Sequence, residues 1–229
     1  MTSSVVLVHG WGGSFEATWQ RSGFTELLRD AGREVIGVVT DVTSLASVEA
    51  LRDATLEAFG GVHIVCNNAG IGSGSEGAIW EHHVNDWRWS LDVNVMGAVH
   101  TFQPFAAAMR DAGRGRLVGI ASVAGVRGLP GAGAYSASKA GVIGMTLPIA
   151  RDLMNDGIRV NTIQPGIFNT PLLQGAPDNV KASLAASVPF PKRLGAPDEF
   201  AHLALAMVEN GYFNGESVRL DGAIRMAPR

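Results

Sequence analysis

A single cysteine, Cys66, stands in the 229 residues, so no internal disulfide can form. A reduced, cytoplasmic setting is the expectation that follows. Charged residues make up only 17%, the net charge is −3 and the arginines are scattered. The chain therefore lacks the basic footprint of a nucleic-acid binder. It also lacks any uninterrupted apolar run of about 18 residues, the length that spans a bilayer. The opening Met1-Thr2-Ser3-Ser4-Val5 has no basic region ahead of its short apolar run, which argues against a signal peptide. A soluble protein is expected. His82 and His83 are adjacent and cannot share a helix face as metal ligands, so they read as a solvated loop and no metal site is expected. No internal repeat and no linker divides the chain, which reads as one domain over 1–229.

Apolar residues reach 46% and glycines number 29, a mix suited to a sheet covered on both faces with tight turns approaching a ligand. Strand and helix signals alternate. Val5–Val8 is a β-branched run ending at Gly10, Gly12 and Gly13; Phe24, Leu27, Leu28 and Ala31 follow at helical spacing, closed by Gly32. Val35–Val39 reads as a second strand ending at Asp41-Val42. A helix then carries Leu45, Val48, Leu51 and Leu56, closed by Gly60-Gly61. Val62–Cys66 is a strand running into Asn67-Asn68-Ala69-Gly70. A long helix from near Asn85, with a kink at Pro104, leads to a strand at Leu117–Ile120. The helix bearing Tyr135 follows, kinked at Pro148. Ile158–Ile163 is a strand, Pro197–Val208 a helix and Ser217–Leu220 a final strand. Such alternation predicts an α/β, Rossmann-like fold with a doubly wound parallel sheet. Its ligand site belongs at the carboxyl ends of the strands.

The chemistry concentrates in A-S-V-A-G-V-R-G-L-P-G-A-G-A-Y-S-A-S-K, residues 121–139. Tyr135 and Lys139 are four residues apart and project from one helix face. An ammonium beside a phenol favours the phenolate, and a tyrosine tuned in that way serves as a general acid or base. Structural alternatives stand beside each candidate. Tyr135 and Lys139 also suit an ordinary helix pair, Ser122 a turn serine at a strand end, and Asn94 a hydrogen bond within a buried helix. Asn67-Asn68 suits a tie between strands, and Asp41 a helix N-terminal anion. Cys66 reads as an inert strand residue.

With Asp41-Val42, Asn67-Asn68-Ala69-Gly70, Asn94 in L-D-V-N-V-M-G, Ser122 with Tyr135 and Lys139, and Pro165-Gly166 followed by Thr170, residues 39–229 resemble the short-chain dehydrogenase/reductase family. M-T-L-P-I-A-R-D-L, P-G-I-F-N-T-P-L-L, V-P-F-P-K-R-L-G and N-G-E-S-V-R-L-D-G-A-I-R-M resemble its type-2 3-hydroxyacyl-CoA dehydrogenase branch. The resemblance implies hydride transfer between a nicotinamide cofactor, NAD with NADP also admitted, and a secondary alcohol or ketone such as a 3-hydroxyacyl-CoA. It implies a catalytic set of Asn94, Ser122, Tyr135 and Lys139. Tyr135 would exchange the hydroxyl proton, Ser122 would donate to the substrate oxygen, Lys139 would hold the nicotinamide ribose and Asn94 a relay water. Cofactor contacts would come from Gly10, Asp41, Val42, Asn68, Ala69, Gly70, Tyr135, Lys139, Pro165, Gly166, Ile167 and Thr170. A homotetramer or dimer is implied as well.

Two features depart from the family. Its opening T-G-x-x-x-G-x-G turn is absent; Val8-His9-Gly10-Trp11-Gly12-Gly13-Ser14-Phe15-Glu16 stands there, with Ser14 and Glu16 at the later glycine positions. One β-α unit near the N-terminus is also missing, and with it the residue that selects NAD or NADP at the ribose. Residues 1–38, with V-V-L-V-H-G-W-G-G, resemble instead the start of an α/β-hydrolase. No G-x-S-x-G nucleophile elbow follows, so hydrolase chemistry is not carried. The alternative to an active dehydrogenase is a catalytically impaired relative with lost or weak dinucleotide binding.

Overall fold

The computed structural model describes residues 4–8, 24–72, 74–75 and 77–224. Five strands form one sheet: β1 (Val5–Val8), β2 (Ile64–Asn67), β3 (Gly115–Ile120), β4 (Ile158–Pro165) and β5 (Ser217–Leu220). They lie in sequence order and every pairing is parallel. The nine helices among the described residues are α1 (Phe24–Asp30), α2 (Leu45–Phe59), α3 (Val84–Leu91), α4 (Gly97–Asp111), α5 (Ala124–Arg127), α6 (Gly133–Asp152), α7 (Pro171–Gln174), α8 (Asp178–Ser187) and α9 (Pro197–Glu209). This is the expected doubly wound, Rossmann-like α/β architecture.

A parallel sheet is stable when both faces are covered, and the strands show it by degrees. In β4 every residue but Pro165 is buried, whereas β1 at the sheet edge alternates exposed and buried. One face packs Val6, Val8, Val65, Leu117 and Val160 against Val48, Phe102, Phe105 and Met109 of α2 and α4. The other packs Val118 and Ile163 against Met207, with Phe200 and Leu203 also from α9. The predicted end of α2 at Gly60 holds. Ser44 caps α2 by accepting from the Ser47 amide at 3.3 Å, and Gly60 closes it in the left-handed conformation at φ 67°.

The expected strand at Val35–Val39 does not form; residues 33–40 are irregular, and Val39 is 96% exposed. A strand needs a ladder partner, and the β-α unit that would have stood beside this run is missing from the chain. Its end is also held away from β1. Val42 is buried, its carbonyl accepts from His100 Nδ1 of α4 at 2.9 Å, and a Cβ on Gly97 would lie 2.8 Å from the Val42 side chain. The chain just past the run is thereby tied to the helix layer at Val42. The long helix expected from near Asn85 is divided. Asp92–Met96 widens into a π turn between α3 and α4. Pro104 and Pro148 lie inside α4 and α6, which both continue past them.

Candidate active site

The carboxyl ends of the strands carry the candidate residues, as the sheet topology requires. Asn67 ends β2 and leads into Asn68, Ala69 and Gly70. Ser122 follows the end of β3, and Pro165 closes β4. The Val123 amide donates to the Pro165 carbonyl at 3.1 Å, which ties the Ser122 turn to the next strand end.

Asn94 sits in the π turn, 1% exposed, with its amide fully committed. Its Oδ1 accepts from the Ile71 amide at 2.8 Å; its Nδ2 donates to the Ile71 carbonyl at 2.9 Å and to Ser138 Oγ at 2.8 Å. Ser138 in turn donates to the Tyr135 carbonyl at 2.8 Å. Sequence reasoning missed Ser138. Its signal was its place immediately before Lys139, on the buried side of the helix.

Lys139 is 5% exposed, and its Nζ donates to the Ile120 carbonyl at 2.9 Å. The same Nζ stands 5.8 Å from the centre of the Tyr135 ring. Burial pulls the ammonium down to about 8. The lowering of the tyrosine expected from Lys139 does not appear. Burial pushes the Tyr135 phenol above its ordinary value, and a hydrogen bond with Ser122 offsets part of that. Phenol, hydroxyl and amine thus meet in one buried place, while Cys66 is pushed up to about 11 by burial and is inert.

The glycines beside this set let backbone and side chains pack closely. A Cβ on Gly70 would lie 3.0 Å from Lys139 Nζ and 3.1 Å from Asn94 Oδ1, so only glycine leaves that approach open. Gly166 is equally constrained, since its Cβ would lie 2.8 Å from Asp221 Cα. The Thr170 amide donates to the Phe168 carbonyl at 2.9 Å as α7 begins. Ile167 and Phe168 border a cavity of about 190 Å³ with Gly195 and Asp221; neither Ser122 nor Tyr135 lines it. Asp41 is exposed, and its Oδ1 accepts from the Thr43 amide at 2.9 Å and from Thr43 Oγ1 at 2.7 Å. Both partners belong to Thr43, ahead of the Ser44 cap of α2, so the carboxylate closes a local turn and not the first turn of the helix. Gly10 lies outside the described residues. Among the described residues no cluster of His, Cys, Asp and Glu is fit to hold a metal ion, and no helix is long and apolar enough to cross a membrane.

A family model described as Enoyl-(Acyl carrier protein) reductase matches residues 16–224. The type-2 3-hydroxyacyl-CoA dehydrogenase of Homo sapiens is 45% identical over 217 residues, covering 90% of this chain and 83% of that one. The chain belongs to the short-chain dehydrogenase/reductase family. Within that family, the acetoacetyl-CoA reductase of Synechocystis is 35% identical over 204 residues, covering 87% of this chain and 84% of that one. The crystal structure of the type-2 3-hydroxyacyl-CoA dehydrogenase from Mycobacterium avium superimposes with a TM-score of 0.81 at 34% identity, covering 98% of this chain and 97% of that one. Family membership supports a hydride-transfer oxidoreductase.

Proposed function

We propose that this short-chain dehydrogenase interconverts a secondary alcohol and its ketone with a nicotinamide dinucleotide, NAD with NADP also admitted, and that its substrate is a 3-hydroxyacyl-CoA. The observation that carries the reading is the convergence of Ser122, Tyr135, Lys139 and Asn94 at the ends of β2 and β3. The substrate class rests on relatives named 3-hydroxyacyl-CoA dehydrogenase and acetoacetyl-CoA reductase.

Each side chain has a defined task in that reaction. The Ser122 hydroxyl donates to the substrate oxygen, a preorganised dipole where negative charge grows. Tyr135 gives or takes the proton at its phenolic oxygen. Lys139, with donors left after its bond to Ile120, offers them to ribose hydroxyls, and its charge favours the phenolate as the proton leaves. Asn94 keeps the Ile71 backbone and α6 in register beside the relay path. The Gly70 cradle fits a nucleotide; Asn68, Ala69 and Gly70 would pass beneath the adenosine, Asp41 and Val42 would meet the adenine, and Pro165, Gly166, Ile167 and Thr170 the carboxamide. When bound, the nicotinamide supplies the hydride acceptor or donor.

One Rossmann-like domain in a cytoplasmic homotetramer or dimer completes the proposal. The rival reading, an impaired relative that no longer binds dinucleotide, draws no support from relatives that are named dehydrogenases and reductases. Calorimetric titration with NAD and NADH, followed by a hydride-transfer assay on 3-hydroxyacyl-CoA substrates, tests the reading. Saturable binding with substrate-dependent NADH formation is expected. Absence of binding at millimolar cofactor overturns it.

A further inference from the structure

The loop between β2 and α3 is held by bonds outside the catalytic set, and one side chain joins its parts. His82 Nδ1 accepts a hydrogen bond from Trp87 Nε1 at 3.2 Å, and His82 Nε2 lies 3.1 Å from the Gly77 carbonyl oxygen. An indole N–H can only donate, so Nδ1 bears no proton, and the proton on Nε2 is given to Gly77. The partners therefore select the neutral Nε2–H tautomer. Both partners rest on the turn that opens the Tyr135 helix. A Cβ on Gly131 would lie 3.1 Å from the Gly77 nitrogen, and a Cβ on Gly133 would lie 3.0 Å from Trp87 Cζ2. Gly131 and Gly133 precede Tyr135 by four and two residues. His82 is the member that links the two seats.

We propose that neutral His82 is a positioning residue: it staples the 77–83 loop and α3 onto the 131–133 turn ahead of Tyr135, and protonation releases that staple. An imidazolium donates from both nitrogens, so a proton on Nδ1 sets donor against donor at Trp87 and one of the two bonds is lost. The ionisable groups on the surrounding elements are few. Glu81 and His83 flank His82 in the loop, Asp86 and Arg88 lie on α3, and Tyr135 is the one ionisable residue from Gly128 to Ser138. Glu81 and Asp86 are already engaged, with the Ala78 amide and with Ser75 Oγ.

The activity arm of the test rests on the dehydrogenase reading; the structural arm does not. Hydrogen exchange of residues 77–83, corrected for the intrinsic rate at each pH, is measured at about pH 8 and about pH 5. Protection in the wild-type chain is expected to fall about tenfold or more at the lower pH, one protonation-linked bond being worth that much. His82→Gln replaces the ring with a carboxamide that accepts from Trp87 and donates to Gly77 without titrating, so its protection should not change with pH. Trp87→Phe keeps an aromatic ring over Gly133 but removes the donor, so the loop should exchange fast at both pH values. In parallel, kcat/KM should lose an acid limb in His82→Gln that the wild type shows. Unchanged wild-type protection, or the same acid-side loosening in His82→Gln, overturns the proposal. A preparation with no hydride transfer at any pH counts against the dehydrogenase reading alone, because the exchange result still stands.

Discussion

The Lys139 ammonium is fastened to the carbonyl of Ile120, the last residue of β3, at 2.9 Å. That one bond fixes where a long, flexible side chain ends, beside Gly70, Asn94 and Tyr135. It also joins the helix that carries Tyr135 to the strand that leads to Ser122. The candidate site is thus built on the sheet's rigid end, with the π turn at Asn94 as a second anchor through Ser138.

Burial of Lys139 should be visible in stability. Its ammonium is drawn from an ordinary 10.5 down to about 8, so between those values the unfolded chain holds the proton more strongly. The unfolded state then binds more protons, and stability must rise with pH across that window. Cys66 works in the opposite sense above its ordinary 9.0, since burial raises it to about 11. The comparison therefore belongs between about pH 7 and about pH 9, where Lys139 contributes a gain of about 1 kcal/mol. Urea unfolding at the two pH values should show that gain in the wild type. Lys139→Met should abolish it, and a wild-type profile that is flat or falls would contradict the burial argument.

Tyr135→Phe removes the proton carrier and leaves the ring. The phenyl group keeps its packing at the start of α6, so the thermal midpoint should stay within a few degrees of wild type. Turnover should fall by about a hundredfold or more, the span covered by acid–base catalysis. Activity within a few-fold of wild type would remove Tyr135 from the role.

Gly70 and Gly72 form a matched pair for the cradle. A methyl group on Gly70 would press on Lys139 Nζ and Asn94 Oδ1, while one on Gly72 meets nothing within 4 Å. Gly70→Ala should therefore lower kcat/KM about tenfold or more, as expected for a small displacement of positioning groups. Gly72→Ala should stay within about twofold, since it displaces none of them. Equal effects from the two variants would show that the crowding at Gly70 has no catalytic consequence. Steady-state kinetics beside thermal unfolding separates the catalytic loss from a folding loss.

Much of this site was legible because its signals are local. Tyr135 and Lys139 share a helix face at a spacing that sequence alone reveals, and Ser122, Asn68 and Pro165 follow β-branched runs that became strands. Val35–Val39 has the same local character, yet it stays irregular, because a strand depends on a neighbour that sequence windows do not contain. The π turn escaped for a similar reason. D-V-N-V-M reads as ordinary helix, and the turn widens where Asn94 reaches out of its helix to Ile71 and Ser138. His100 and Ser138 were unmarked because their partners, Val42 and Asn94, lie far away in the chain.

The missing β-α unit leads to a prediction about cofactor choice. Selection between NAD and NADP in this fold is made at the ribose 2′ position, by an acidic group that accepts from the hydroxyl or a basic one that meets the phosphate. Among the described residues no strand stands on the free edge of β1 to present such a residue. Residues 33–40, which reach Asp41 from the preceding helix, are irregular and largely exposed, and build no strand beside β1. Where no such strand fixes a charge at the ribose, neither cofactor gains the preference that a dedicated partner gives. Dissociation constants for NADH and NADPH, read from nicotinamide fluorescence at one ionic strength, should agree within about tenfold, less than the worth of one charge-assisted hydrogen bond. A preference of about a hundredfold for either would mean that another part of the chain reads the 2′ group, and charge substitutions at Arg33 and Glu34 would be the first place to look for it.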